Sequence, residues 1–163
     1  MEINLLVPLK NEEEIIEQYR KTNKGFLRLK KNISMPRKIE LVYKPYYFHR
    51  YSYNVKSFKK AFTEEIGTLT DGLSSISALL KDSMEISKIN NIPREKVLEP
   101  KVSEKESEEN SLGIVQKNMY MRYKHYYKCN LVESQIIYRG FYLLELDGRN
   151  KPMILHGDFY EIK

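Results

Sequence analysis

The chain has 163 residues, 41% of them hydrophobic and 31% charged, with a net charge of +6. That length can bury a core as one domain or as two small ones, and the composition argues against a wholly disordered chain. Cys129 is the only cysteine and no window approaches the roughly eighteen apolar residues of a membrane helix, so a disulfide-stapled scaffold and a helical membrane span are both excluded from the expectations.

In chain order, the opening MEINLLVPLKNEEE has no basic stretch ahead of its short apolar run, so no signal peptide is expected. With a lone cysteine, a reducing compartment and hence the cytoplasm is the expected location. Asn11 and Glu14 have capping-box spacing, and Ile15, Tyr19, Phe26 and Leu29 follow at helical intervals, which predicts a helix from about Glu12 to Lys31. Pro36 stops it. Ile39, Leu41, Tyr43, Tyr47 and Tyr51 then alternate with Glu40, Lys44, Arg50 and Ser52 as a period-two strand. Pro45 has no N–H to give, so this strand is expected at a sheet edge or with a bulge. Asn54 to Ser57 reads as a hairpin turn, with a return strand from Phe58 ending at Thr70, and Asp71-Gly72 as a tight turn favouring positive dihedrals. Residues 73–86 suit a strand or a short helix, with the strand preferred.

The stretch 87–101, carrying Asn90-Asn91, Pro93 and Pro100, reads as a polar connector between units 1–86 and 102–163. Ser103 and Glu106 form a second capping box, and Leu112, Val115, Met119 and Tyr126 extend a helix from Glu104 to about Lys128. A strand from Gln135 to Leu146, a turn at 147–150 and a strand from Met153 to His156 complete the chain. Tyr43-Lys44-Pro45-Tyr46-Tyr47-Phe48 aligns with Tyr138-Arg139-Gly140-Phe141-Tyr142-Leu143, and cap-to-tyrosine distances are 32 and 35 residues. The expected class is therefore α+β, as two tandem helix-plus-antiparallel-sheet units packed together.

Ser103-x-x-Glu106-Ser107-x-x-x-Ser111, a helix, then Tyr142-Leu-Leu-Glu145-Leu146-Asp147 and a closing strand resemble a PepSY-type domain, moderately over 102–162 and more weakly over 11–72. The family pattern is Ser/Thr-x-x-Glu-Ala-x-x-x-Ala, helix, strand, turn, strand. Here Ser107 and Ser111 stand at both Ala positions. The resemblance implies a helix against an antiparallel sheet and a mostly non-catalytic, regulatory role, and it supplies no catalytic residue.

Catalytic constellations are sparse. His125 and Cys129 are four apart on the expected second helix, but zinc wants three or four protein ligands and no partner pair is present, so no metal is expected. His49 and His156 read as hydrogen-bonded structural histidines, and Glu145, Asp147 and Asp158 as solvated turn carboxylates rather than an acid–base set. There is no glycine-rich phosphate loop, no cofactor is implied, and an enzyme is not expected.

Charge is more telling. From Gln18 to Lys60 thirteen Lys or Arg residues face one acid, Glu40, a local net of +12, which leaves −6 for the remainder. A one-signed field of that kind attracts acidic partners or phosphate backbones, or is simply a solvated face. Two functions follow. The first is a non-enzymatic module that binds and regulates a protein partner through Lys44, Tyr46, Phe48, Arg50, Arg139 and Phe141, with Leu41, Tyr43, Tyr47, Ile136, Tyr138 and Tyr142 facing inward. The alternative is weak, general nucleic-acid binding by the basic belt, with Arg28, Lys30 and Lys31 as phosphate contacts and tyrosines for stacking.

Overall fold

The computed structural model describes residues 1–23, 35–56, 61–80, 83–123 and 127–160. The elements are β1 (Ile3–Val7), α1 (Glu12–Asn23), β2 (Lys38–Lys56), β3 (Ala61–Asp71), β4 (Ser77–Leu79), β5 (Glu85–Ile89), a 3-10 turn at Arg94–Lys96, α2 (Glu104–Tyr123), β6 (Tyr127–Glu145) and β7 (Met153–His156). The strands form one mixed sheet in the order β4-β3-β2-β6-β1-β5, with β7 paired to β6.

This order overturns the two tandem helix-plus-antiparallel-sheet units. β2, from the first half of the sequence, lies beside β6 from the second, and β6 lies beside β1. The match between Tyr43 and Tyr138 has another cause. Both lie in 19-residue strands flanked by strands on either side, an environment that selects aromatic and β-branched residues wherever it occurs. β2 is accordingly no edge strand. The carbonyl of Pro45 accepts from Gly72 N at 2.9 Å, and the β3 ladder begins one residue later, at Tyr46 opposite Asp71, so the missing N–H falls where the ladder ends. β1 was not anticipated, and β6 starts inside the stretch expected to be helical, which puts Cys129 on a strand.

The chain divides into two compact units, each drawn from separated segments. The first comprises Met1–Lys44, Glu85–Leu98 and Arg139–Tyr160. In it β1 and β5 pair antiparallel, from Ile3 opposite Ile89 to Val7 opposite Glu85, and β7 pairs with β6 from Phe141 opposite His156 to Leu144 opposite Met153. The capping box forms as a reciprocal pair, Glu14 N to Asn11 Oδ1 at 3.0 Å and Asn11 N to Glu14 Oε2 at 2.8 Å. It starts α1 so that Ile15 and Tyr19, one turn apart, seat on Tyr142, Leu144, Leu146 and Leu155, with half-buried Ile39, Leu41 and Met153 around them. Each such buried side chain contributes about 1.5–3 kcal/mol.

The second unit is built mainly from Pro45–Met84 and Glu99–Tyr138. β2 pairs antiparallel with β3 as far as Lys56 opposite Ala61, and β3 with β4. α2 buries Ser107, Ser111, Val115 and Met119, a stripe at four-residue spacing. Val115 and Met119 pack on Tyr51, Tyr53 and Val55, and the two serines give the helix start a hydroxyl layer instead. Ser103 Oγ caps the helix through Glu106 N at 3.2 Å. The Asp71-Gly72 turn forms, but its positive φ falls on Ser75, at 56°. Gly72 is needed for space, because a Cβ there would lie 2.9 Å from the Pro45 carbonyl oxygen.

Candidate functional site

In the second unit the polar side chains are spent on holding α2. His49 is fully buried, with Nε2 2.8 Å from Ser107 Oγ, and its Nδ1 has no hydrogen-bond partner among the described residues. Tyr51 Oη lies 2.5 Å from Ser111 Oγ, Tyr47 Oη donates to the Val102 carbonyl at 2.7 Å, and Glu64 accepts from both Tyr53 and Tyr123. Burial pushes the His49 pKa down, opposed by Glu108 and Glu104, and pushes those of Tyr47, Tyr51 and Tyr53 up. His49 is the structural histidine that the sequence suggested.

The first unit gathers a different set at the surface. Its base is a fully buried ion pair, with Arg139 Nε 2.8 Å from Asp158 Oδ2 and Nη2 2.7 Å from Oδ1. Arg139 Nη2 also donates to the Tyr160 carbonyl at 3.0 Å, and Tyr160 N donates to Asp158 Oδ1 at 3.0 Å, so both charges are well provided with partners. Above the pair lies His156, an exposed residue whose ring centroid is 4.9 Å from that of Phe141. Its Nδ1 is in long contact, 3.5 Å, with Arg139 Nη2. A guanidinium only donates, which assigns the imidazole proton to Nε2.

Two lysines lie close enough to His156 to act on its charge. Lys44 of β2 holds its Nζ 5.8 Å above Phe141. Lys10 is brought in by the link from β1 to α1, where Leu9 bridges to Asp158 and Lys10 N donates to the Gly157 carbonyl at 2.6 Å. The hydroxyl of Tyr142 donates to the Lys10 carbonyl at 2.7 Å, and Lys10 Nζ reaches Gln18 Oε1 at 3.1 Å and the His156 carbonyl at 3.4 Å. Lys10 Nζ also lies 5.1 Å from the centre of the Phe159 ring. Gly157 makes the crossing possible, since a Cβ there would meet the Gly140 oxygen at 2.8 Å. Partial burial and the neighbouring Arg139 hold the His156 pKa below its usual value; Lys10 and Lys44 add to the effect and Asp158 opposes it. Ile154 and Phe159 are large apolar side chains left 61% and 54% exposed.

Of the six residues expected to bind a partner, the structure brings Lys44, Arg139 and Phe141 into this cluster, but Arg139 and Phe141 are buried within it. Tyr46 is buried, and Phe48 is half-buried, close to where a Gly67 Cβ would lie. Arg50 is exposed and bridges Glu133 at 2.6 Å and Glu65 at 3.5 Å. Arg28, Lys30 and Lys31, like His125, lie outside the described residues. Elsewhere in the basic belt Lys21 pairs with Glu17, Lys38 with Glu40 and Arg37 with Asp147. Asp158 is a buried ion-pair partner rather than a solvated turn carboxylate.

Lys10, Ile154 and Phe159 were not anticipated. Their neighbours lie far along the chain, 146 residues in the case of Lys10 and His156, and no spacing rule reaches that far. The signal that was present is Gly157, a glycine next to an acid at a strand end, which marks a close backbone approach. No protein-family model, no curated protein and no solved structure matches this chain.

Proposed function

We propose that the protein is a small non-enzymatic module of the cytoplasm that binds and regulates a protein partner through the surface made by β6, β7 and the Lys10 link. The observation that carries this reading is the exposed Phe159 ring 5.1 Å from the ammonium of Lys10, together with exposed Ile154 on the face of β7 opposite to that of Leu155. Tyr142 and Leu155 point to the other side of the same strand pair and are covered by Ile15 and Tyr19, so α1 leaves this surface open. Apolar anchors rimmed by charge suit a protein interface, where aromatic residues carry much of the binding energy. The buried ionisable groups are tied to internal partners, Arg139 to Asp158 and His49 to the hydroxyl of Ser107, and that supports a binding role over a catalytic one. The PepSY-type likeness of 102–162 points the same way.

General nucleic-acid binding by the belt from 18 to 60 has less support, because Lys21, Arg37, Lys38 and Arg50 already face carboxylates within 4.0 Å. The test is capture from native extract on immobilised protein, with Ile154→Ser/Phe159→Ser alongside. A specific protein retained by the wild type and lost from the double variant, whose circular dichroism and Tm are unchanged, is the expected result. Equal retention by both proteins, or retention of nucleic acid alone that disappears with added salt, would remove this reading.

A further inference from the structure

We propose that the open edge of β3 over residues 61–65 is a docking site for an extended, basic segment of a partner protein, which joins the sheet as one more antiparallel strand. β3 is flanked by β2 along its whole length, from Tyr46 opposite Asp71 to Lys56 opposite Ala61, but β4 pairs with its other side only from Thr68 to Thr70. Leu80 N donates to the Gly67 carbonyl and Asp71 N to the Ile76 carbonyl, each at 2.9 Å, so the odd-numbered residues of β3 aim their main-chain groups away from β2. The β2 register has no break, so Glu65, Thr63 and Ala61 aim theirs the same way, and no strand among the described residues meets them there. All three are exposed. Such an edge offers up to about six main-chain hydrogen bonds to a chain laid along it.

Exposed edges usually carry a lysine, a proline or a bulge that turns other strands away. β3 has none of the three. Its sequence, AFTEEIGTLTD, holds Glu64, Glu65 and Asp71 and no base, within a chain of net charge +6. Arg50 reaches Glu65 at 3.5 Å, but an exposed pair at that distance holds the carboxylate only weakly. A second copy of the chain would set Glu64 and Glu65 against the same two acids, which repel, whereas lysine or arginine on the incoming strand complements them. The two faces of the edge differ as well. Phe62, Glu64 and Ile66 lie on the α2 side, where Phe62, 38% exposed, meets the Tyr123 ring edge-on at 6.0 Å, and Ala61, Thr63 and Glu65 lie on the other. The fitting segment therefore alternates, with aliphatic residues over Phe62 and Tyr123 and basic residues beside Glu65.

The experiment uses the full chain and a heptapeptide of alternating lysine and valine, read by amide hydrogen exchange with NMR and by fluorescence anisotropy of the labelled peptide. In the dilute free protein the amides of Thr63 and Glu65 should exchange fast, and those of Phe62, Glu64 and Ile66, which face β2, slowly. The peptide should slow Thr63 and Glu65, and one of alternating glutamate and valine should not. Thr63→Pro deletes a donor that the β2 ladder does not use and should weaken peptide binding about tenfold. Thr63→Val loses the side-chain hydrogen bond to Asn54 but keeps the N–H, and should bind as the wild type does. Ala61→Lys/Glu65→Lys, which supplies the missing guard and leaves the ladder alone, should weaken binding as much as the proline does. Thr63 and Glu65 amides that are already slow in the dilute free protein, equal binding of both peptides, or binding unchanged in the proline and lysine variants overturn the proposal. Protection that grows with protein concentration alone also overturns it, and assigns the edge to a second copy. The inference does not rest on the surface of Ile154 and Phe159, so Ile154→Ser/Phe159→Ser should leave peptide binding unchanged, and a loss there would move the peptide to that surface and sink the assignment to β3.

Discussion

Replacing His49 with Gln should flatten the acid side of the stability curve. In the folded protein the imidazole is fully buried under α2, and burial lowers its pKa despite the opposing charges of Glu108 and Glu104. In the unfolded chain it titrates near 6.5, so below that pH the unfolded state holds the additional proton and stability falls as pH falls. The loss begins around the unfolded pKa and continues down to the folded one, with a slope of at most about 1.4 kcal/mol per pH unit for a single site. His156 acts with the same sign, but it is exposed and solvent screening makes its share smaller, so the variant should reduce the slope rather than abolish it. Gln has a similar volume and can still hydrogen-bond Ser107, which limits its cost at neutral pH to about 1–2 kcal/mol. Urea unfolding followed by tyrosine fluorescence, between about pH 8 and pH 5, where most carboxylates stay ionised, measures both slopes. Parallel slopes for wild type and variant, or a wild-type protein that gains stability on acidification, would refute the assignment of His49 as the buried neutral histidine.

Asp158→Asn leaves Arg139 buried beside a neutral group and should cost about 3–5 kcal/mol by denaturant titration, whereas Arg139→Met/Asp158→Leu should recover much of that loss. Tyr51→Phe and Ser111→Ala each remove one side of the 2.5 Å contact and should each cost about 1 kcal/mol. The double variant should cost much less than their sum, as a double-mutant cycle would show. Gly157→Ala and Gly148→Ala should both lower Tm, for different reasons. The first forces a Cβ to within 2.8 Å of a backbone oxygen, and the second meets nothing within 4 Å but strains a φ of +74° by about 1–2 kcal/mol. Gly148→Asn should therefore be far milder than Gly157→Asn.

The sequence made legible whatever is decided within a few residues. The Asn11/Glu14 box, the start of α2 at Ser103, the alternation through Tyr43 and Tyr51 and the closing strand Met153–His156 all follow from local spacing. Pairing between distant segments was not legible. Nothing in Ile3 to Val7 says that it lies next to β6, and the likeness of β2 and β6 suggested two similar units when it reflects two similar environments in one sheet. At the site, Lys44, Arg139 and Phe141 were singled out because bases alternate with aromatics there. That pattern cannot tell an exposed cation from one already closed on Asp158, a residue 19 positions away.

Each compact unit is assembled from segments that leave the ribosome far apart in time. The first needs Met1–Lys44 and also Arg139–Tyr160, so β1 and α1 emerge long before the strands that Ile15 and Tyr19 cover. At typical synthesis rates the wait is roughly six to twenty-five seconds, during which an apolar helix face stands open to chaperones, proteases and other nascent chains. No contiguous fragment contains the first unit without nearly all of the second. Truncation is therefore a poor route to a minimal domain, and a split reporter divided at 87–101 should return signal only when both pieces fold together.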